Sequence, residues 1–432
     1  MKNSFREVSG SVCAPRGFKA AAVFCDIKRL GTGKGSEKGT KRDLALIVSD
    51  VPAAVAGMFT TNQVCAAPVK VSAKRAAQKT ARAIVVNSGN ANACTGRQGM
   101  ADAKRMTQIA ATALKLKESD VLVCSTGRIG VPMPMRNVER GIRACAPLIA
   151  GSTTNARHVA EAIMTTDTRR KEIAVEFQIG GSTIRIGGIC KGAGMIQPGM
   201  SQIRHATMLS FITSDAAIDS RLLKRALDAA VAQGFNRITV DGDMSTNDSV
   251  IMLANGLAKN EMISSAKTLS IFQAALNFVT LELAKMIVRD GEGVSRFVTL
   301  HVHGARNTRD AELAARSIAN SSLVRTSWCG GDPNWGRVLC ALGYSRAHVD
   351  ETIVDVGYAK SGSREIVFAF RRGRPTNISL KILAKITSAP EFDLYVDLHR
   401  GRGEFTMYAS DLTEDYVAFN KGDVNDPTTL GG

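Results

Sequence analysis

Lys191-Gly-Ala-Gly-Met-Ile-Gln-Pro198, followed shortly by His205-Ala206-Thr207-Met208-Leu209-Ser210-Phe211-Ile212, sets a threonine behind a small residue in mid-chain, downstream of a glycine-rich loop. The run Met208–Ile212 reads as a buried strand, and threonine is common in strands, so on these residues alone the strand is the plainer reading. A second reading is chemical. A threonine hydroxyl is a poor nucleophile until its own α-amino group is freed to serve as the adjacent base. That amine has a pKa of roughly 7.7–8.0, close to working pH, so it can take the hydroxyl proton and return it. For Thr207 this requires scission of the Ala206–Thr207 bond.

Outward from that stretch, strands and helices alternate. Apolar, β-branched runs predict strands at Asp43–Val48, Ala83–Val86, Val121–Cys124, Ile173–Phe177, Thr183–Ile186, Ile238–Val240, Phe297–Val302, Ile353–Val356, Ile366–Phe370, Ile378–Leu383 and Phe392–Leu398. Helical spacing predicts helices over Ala101–Lys117, Met135–Ile149, Ser220–Ala232, Ala266–Arg289 and Thr308–Asn320. Strand pairs near 171–190 and 364–386 carry polar turns and suit antiparallel pairing. The mixture points to a layered α/β sandwich with mixed and antiparallel sheets, not one parallel doubly wound sheet.

Composition bounds the rest. The 432 residues can bury a large core, and 44% are hydrophobic, as in a globular chain. No unbroken apolar run reaches the roughly 18 residues of a membrane helix, and the start Met1–Glu7 has no apolar signal core. A cytoplasmic protein without membrane attachment is expected. The 9 cysteines show no zinc spacing, and Cys124, Cys190 and Cys340 sit in apolar runs, so reduced, buried thiols are expected. The formal charge of +17 is unevenly spread: residues 1–206 hold 31 Lys+Arg against 13 Asp+Glu, and residues 207–432 hold 25 against 26. Aromatics make up only 5% and no nucleic-acid module is visible, so the excess reads as a basic surface, with attraction of an anionic amino acid as the second reading. Gly31-Thr-Gly-Lys-Gly-Ser36 has the look of a phosphate cradle but not the order of a P-loop, and reads as a basic loop.

Further segments lie in one order along the chain: Gly17–Ala21, Phe59–Asn62, Val86-Asn-Ser-Gly-Asn-Ala-Asn-Ala93, Ser125-Thr-Gly127 and Ala162–Thr168. They continue with Thr239-Val-Asp-Gly-Asp243, Ser245-Thr-Asn-Asp248, Asp290-Gly-Glu-Gly293, Asp332–Arg337 and Asp411–Val417. Together they resemble the bifunctional glutamate N-acetyltransferase/ornithine acetyltransferase family of the cyclic arginine pathway, over almost the whole chain. The resemblance implies an α/β sandwich with two main lobes and a smaller C-terminal lobe. It implies self-cleavage between Ala206 and Thr207 into an α chain (1–206) and a β chain (207–432) that stay together as a heterotetramer of two of each. It also implies transfer of acetyl from N2-acetylornithine to glutamate through Thr207, with no bound cofactor or metal and with acetyl-CoA as a candidate co-substrate.

The same resemblance implies roles for single residues. Thr126 and the Gly127 amide form the oxyanion hole; as a bare pattern, Ser-Thr-Gly is also an ordinary strand-ending turn. Thr165, Lys191, Thr207 and Glu292 contact substrate, Lys191 offering a cation for a carboxylate and Glu292 a carboxylate for the ornithine ammonium. The family usually ends in an Asn followed shortly by Ser or Thr; here Asn420 matches the first and Asn425 stands at the second. A second departure is the insertion Ser201–His205 ahead of Ala206. Two alternatives stand beside the transferase: a self-cleaving amidase or aminopeptidase in which water replaces glutamate, and a basic scaffold in which the chain stays intact.

Overall fold

The computed structural model describes residues 5–28, 41–198 and 208–422. Ala206, Thr207, Asn425, the Ser201–His205 insertion and the Gly31–Ser36 loop lie outside the described residues.

The strands that follow the opening stretch outward are β1 (Phe5–Glu7), β2 (Phe18–Val23), β3 (Leu44–Phe59), β4 (Thr80–Asn90), β5 (Val121–Arg128), β6 (Lys171–Ile179), β7 (Ser182–Lys191), β8 (Leu209–Ser214) and, past the short β9 (Ile238–Thr239), β10 (Ser249–Ala254). All but β9 join one 9-stranded sheet in the order β1-β6-β7-β8-β10-β3-β4-β5, with β2 also on β3. The crease of this sheet is β3. Its first part pairs with β2 and β4, its last part with β10, and the register slips between Val48 and Ala53. The two halves therefore stack. Ile47, Ile84 and Leu122 from one layer meet Phe211, Ile251 and Leu253 from the other in a buried inner core. Alternation does the rest: Val250 and Met252, one residue off Ile251 and Leu253, face outward into a separate core.

Helices cover both outer faces. Helices α1 (Ala67–Ala76), α2 (Gly96–Leu114) and α3 (Met135–Cys145) lie on the β4–β5 side; α4 (Thr153–Ala162) packs beside β2. On the other side lie α5 (Ser220–Gln233) and α6 (Ala266–Arg289). With a mean hydropathy of 1.5, α6 is long and apolar enough by composition to cross a membrane, contrary to the expectation that no stretch is. Gln273, Asn277 and Glu282 interrupt its apolar runs, which is why run length alone misses it. Its Phe272, Leu276, Val279, Leu283 and Ile287 are buried in the outer core with strands β6 and β7, the position of a core helix.

A second, 7-stranded sheet runs β14-β13-β12-β15-β11-β16-β9, using β11 (Phe297–Ala305), β12 (Asp355–Lys360), β13 (Val367–Arg371), β14 (Arg374–Pro375), β15 (Glu391–Asp397) and β16 (Gly403–Ser410). It is mixed: β11 is parallel to β15 and antiparallel to β16. Around it lie α7 (Thr308–Asn320), α8 (Ser322–Cys329), α9 (Trp335–Gly343) and α10 (Leu380–Thr387), with α11 (Glu414–Asn420) closing the described chain. The layered α/β architecture is the one the sequence predicts.

Two expectations are corrected. Ile378–Leu383 is not a strand: Ser379 caps α10 by accepting from the Lys381 amide, and Leu383 and Ile386 turn inward at helical spacing. Cys340 is exposed, on the outer side of α9, while Cys124 and Cys190 are buried as expected; all the described cysteines are free. Residue 207 is not a boundary between folding units. Strands β8 and β10 follow it in sequence yet lie inside the first sheet, between β7 and β3.

Candidate active site

Strand β5 ends in Ser125-Thr126-Gly127, lying parallel to Asn87-Ser88-Gly89 of β4. Gly127 has φ +130°, and a Cβ there would stand 2.3 Å from the Gly89 carbonyl carbon, so only glycine lets the two strand ends close up. The polar motifs hold this end in place. The Ser125 hydroxyl donates to Asn87 Oδ1 at 2.6 Å. The Asn247 amide donates to the Ala91 and Ser125 carbonyls at 2.6 and 2.8 Å, tying the Ser245–Asp248 loop to the β4 and β5 ends. Thr60 anchors that loop in turn, its hydroxyl donating to the Ser245 carbonyl at 2.8 Å.

Lys191, at the end of β7, is buried and donates from Nζ to Thr126 Oγ1 at 3.3 Å. Burial lowers its pKa; Asp167, Glu292 and Asp248 counter that by stabilising the charge, while Lys171 adds to the lowering. Opposite Lys191 stands Leu209, the first residue of β8. Met208 is buried just before it, its carbonyl accepting from the Ser249 amide at 2.8 Å. The chain thus enters the second half of the sequence beside Lys191 and Thr126.

Glu292 is buried on the far side of the glycine-rich loop. Its amide donates to the Ala193 carbonyl at 2.9 Å. A Cβ on Gly194 would stand 2.4 Å from the Glu292 carboxyl group, so the glycine is what lets the carboxylate sit there. Asn420 Nδ2 donates to Glu292 Oε2 at 2.9 Å. Helix α11 delivers Asn420: Thr413 caps it, accepting from Tyr416 N at 3.1 Å while its hydroxyl donates to the Gly293 carbonyl at 2.6 Å. Asp241 grips the loop itself, accepting from the Met195 and Ile196 amides at 2.6 and 2.7 Å; burial raises its pKa.

The structure therefore brings Thr126 together with Lys191, and Glu292 with Asn420. Thr165 is half-buried and stands apart from both pairs in its bonding. Its amide donates to Asp167 Oδ2 at 3.0 Å, and it lines a cavity of about 600 Å3 with Lys28, Arg42, Glu161, Arg169 and Arg170. One group has no sequence expectation behind it. Lys171 is 1% exposed and bridges Asp167 and Asp290 at 2.6 and 2.5 Å. Thr-Arg-Arg-Lys reads as a solvated charge run. The usable signal was alternation along β6, which puts Lys171 on the same buried face as Ile173, Val175 and Phe177.

A buried ammonium, a buried carboxylate and a strand-end hydroxyl thus gather around one glycine-rich loop, and the fold holding them is a layered α/β scaffold. The ArgJ family model matches residues 20–422, and the chain belongs to that family. The Symbiobacterium thermophilum "Arginine biosynthesis bifunctional protein ArgJ" is 46% identical over 96% of this chain and 98% of its own length. A "Glutamate N-acetyltransferase" of Methanocaldococcus jannaschii is 44% identical, again over 96% and 98%. Among solved structures, the ornithine acetyltransferase of Mycobacterium tuberculosis complexed with ornithine is 37% identical. It covers 46% of this chain and 100% of that chain, with a TM-score of 0.41. The chain is an acyltransferase of arginine biosynthesis, as the motifs led one to expect.

Proposed function

We propose that the enzyme moves acetyl from N2-acetylornithine to glutamate in two half-reactions at one site, releasing ornithine and N-acetylglutamate. Thr207, freed by scission after Ala206, attacks the amide carbonyl with its own α-amine as base. The oxyanion is received by the Thr126 hydroxyl and the Gly127 amide. The amine of ornithine leaves with the proton taken from the hydroxyl, and the amine of glutamate then attacks the acetyl ester. Lys191 receives the α-carboxylate and Glu292 the ornithine side-chain ammonium, with Thr165, Asn420 and Asn425 completing the contacts. Acetyl-CoA stands as an alternative donor, and the working form is a cytoplasmic assembly of two α and two β chains.

The observation that carries this reading is the Lys191–Thr126 contact at 3.3 Å, made where the chain re-enters at Met208. Leu209, two residues past the proposed nucleophile, lies opposite Lys191 in the β7–β8 ladder, which supports the reading. The test is mass spectrometry of the purified protein with N2-acetylornithine and no glutamate. One acetyl group should appear on a fragment beginning at Thr207, and glutamate should remove it. Double-reciprocal plots against the two substrates should be parallel. Intersecting lines with no acetylated fragment would remove Thr207 from the nucleophile role. Loss of the acetyl group to water at the same rate without glutamate would favour the amidase.

A further inference from the structure

We propose that Lys171 is a positioning residue of the acyl-transfer site: its ammonium joins the carboxylates of Asp167 and Asp290 and thereby holds the segments bearing Thr165, Lys191 and Glu292 at one spacing. This rests on the reading that those three residues contact substrate. Each carboxylate in the group does more than meet the lysine. Asp167 Oδ1 also accepts from the Gly192 amide at 2.7 Å, next to Lys191, and Oδ2 accepts from the Thr165 amide at 3.0 Å. Asp290 Oδ2 accepts from the Thr168 and Arg169 amides at 3.1 and 3.2 Å, and Oδ1 accepts from the Thr168 hydroxyl. Asp290 itself lies two positions before Glu292. One buried cation therefore pins the Thr165–Arg169 segment, the start of the glycine-rich loop and the Asp290–Gly293 turn. These come from three distant places in the sequence, and Thr165, Lys191 and Glu292 make their hydrogen bonds to other partners and not to one another.

The charge arithmetic supports the same arrangement. Two carboxylates and one ammonium, all buried, leave one negative charge, which Lys191 beside Asp167 and the Arg169 guanidinium, 4.0 Å from Asp290, together offset. Asp167 shows this: burial alone would raise its pKa, but Lys171 and Lys191 outweigh that and bring it to about 2. The buried group is thus built toward the site and not merely toward stability. Buried ion pairs as such are often replaceable by apolar residues without loss of stability, which makes a role in placing neighbours the better account of this one.

The test measures both half-reactions in the whole protein for wild type, Lys171→Met, Lys171→Arg and Asp290→Asn. If the bridge sets the spacing of groups that hold both amino acids, its loss weakens ground-state and transition-state binding alike. KM for acetylornithine and for glutamate should rise together in Lys171→Met, on the order of 10- to 100-fold, the equivalent of one or two charge-assisted hydrogen bonds, with kcat per acetylatable site within about threefold. Lys171→Arg, which keeps the charge, should recover most of that rise. A merely structural lysine would instead lower the fraction of active sites and leave KM alone. Should Lys171→Met fail to fold, Asp290→Asn keeps the shape, loses one charge and should show the same paired KM rise.

A pH arm adds an independent readout through Asp167→Asn. The charged groups acting on Lys191 are Asp167, Lys171, Glu292 and Asp248, with Lys28 also nearby. Removing the Asp167 charge leaves burial less opposed, so Lys191 loses its proton at lower pH. The alkaline limb of kcat/KM should move to lower pH. Unmoved KM for both substrates in Lys171→Met or Asp290→Asn, with transfer intact, overturns this inference alone. Absence of transfer in the wild type overturns the site reading, and this inference with it.

Discussion

Thr126 meets the Lys191 ammonium at 3.3 Å, on a strand end that Gly127 and Gly89 allow to close. Thr126→Ala should lower turnover on the order of 10²–10³-fold, the usual loss for one oxyanion donor, and should slow self-cleavage because that step also passes through a tetrahedral intermediate. Thr126→Ser, which keeps the hydroxyl, should recover most of the rate. An ordinary turn hydroxyl would leave both rates within about twofold. At this scale Ser125-Thr126-Gly127 and Asp290-Gly-Glu-Gly293 stood out as motifs only through the family resemblance, because their partners lie elsewhere in the chain: Lys191 for Thr126, Gly194 and Asn420 for Glu292. The Lys171 bridge was not legible, because Asp167 and Asp290 meet only through the fold, and no local spacing joins them.

At the scale of elements, β8 is hydrogen-bonded on both sides, antiparallel to β7 and parallel to β10. Breaking the bond before Thr207 would leave every one of those ladders intact. Fragments 1–206 and 207–432 should therefore separate on a denaturing gel yet elute together from a sizing column. A fragment 1–206 that elutes alone without denaturant would contradict this pairing. Long elements with caps were the ones the sequence placed well. Helices α6 and α7 run over the predicted residues, each opened by a side chain, Ser265 or Asn307, that accepts from an amide inside the first turn. Ile378–Leu383 failed because six residues of mixed apolar character fit a period of two or of 3.6, and Ser379 was the overlooked arbiter. Strand β10, apolar and buried on both faces, offered no alternation to find.

Over the whole molecule, Arg325 locks helix α8 onto the ends of β9 and β16, within the layer of the second sheet. It is 4% exposed, and its guanidinium donates to the Ser410 and Asp411 carbonyls at 3.0 and 2.8 Å and to the Val240 carbonyl. Burial lowers its pKa, and the nearby Asp241 and Asp411 carboxylates oppose that. Arg325→Met would leave three buried acceptors short of a donor, at a cost of about 2–4 kcal/mol. In calorimetry the melting temperature of Arg325→Met should fall below that of the wild type. An unchanged melting temperature would show that other contacts hold α8, β9 and β16 together. The layered class of the fold was legible from alternating elements, but the crease at β3 was not, since Ser49, Asp50 and Pro52 interrupt its apolar run and look like the end of a strand.

The place of β8 and β10 in the first sheet also bears on how the chain is born. A ribosome adding roughly 5–20 residues per second delivers residues 1–206 well before both of these strands are available. During that interval β7 and the far half of β3 each hold an open edge, and the inner layer lacks Phe211, Ile251 and Leu253. Open edges of this kind invite pairing with other chains. Residues 1–206 made alone should therefore be prone to associate with other chains, and the two halves are poor candidates for separate synthesis. The proposed scission before Thr207 would then be a late act upon a finished fold, dividing the chain only after the sheet has joined it.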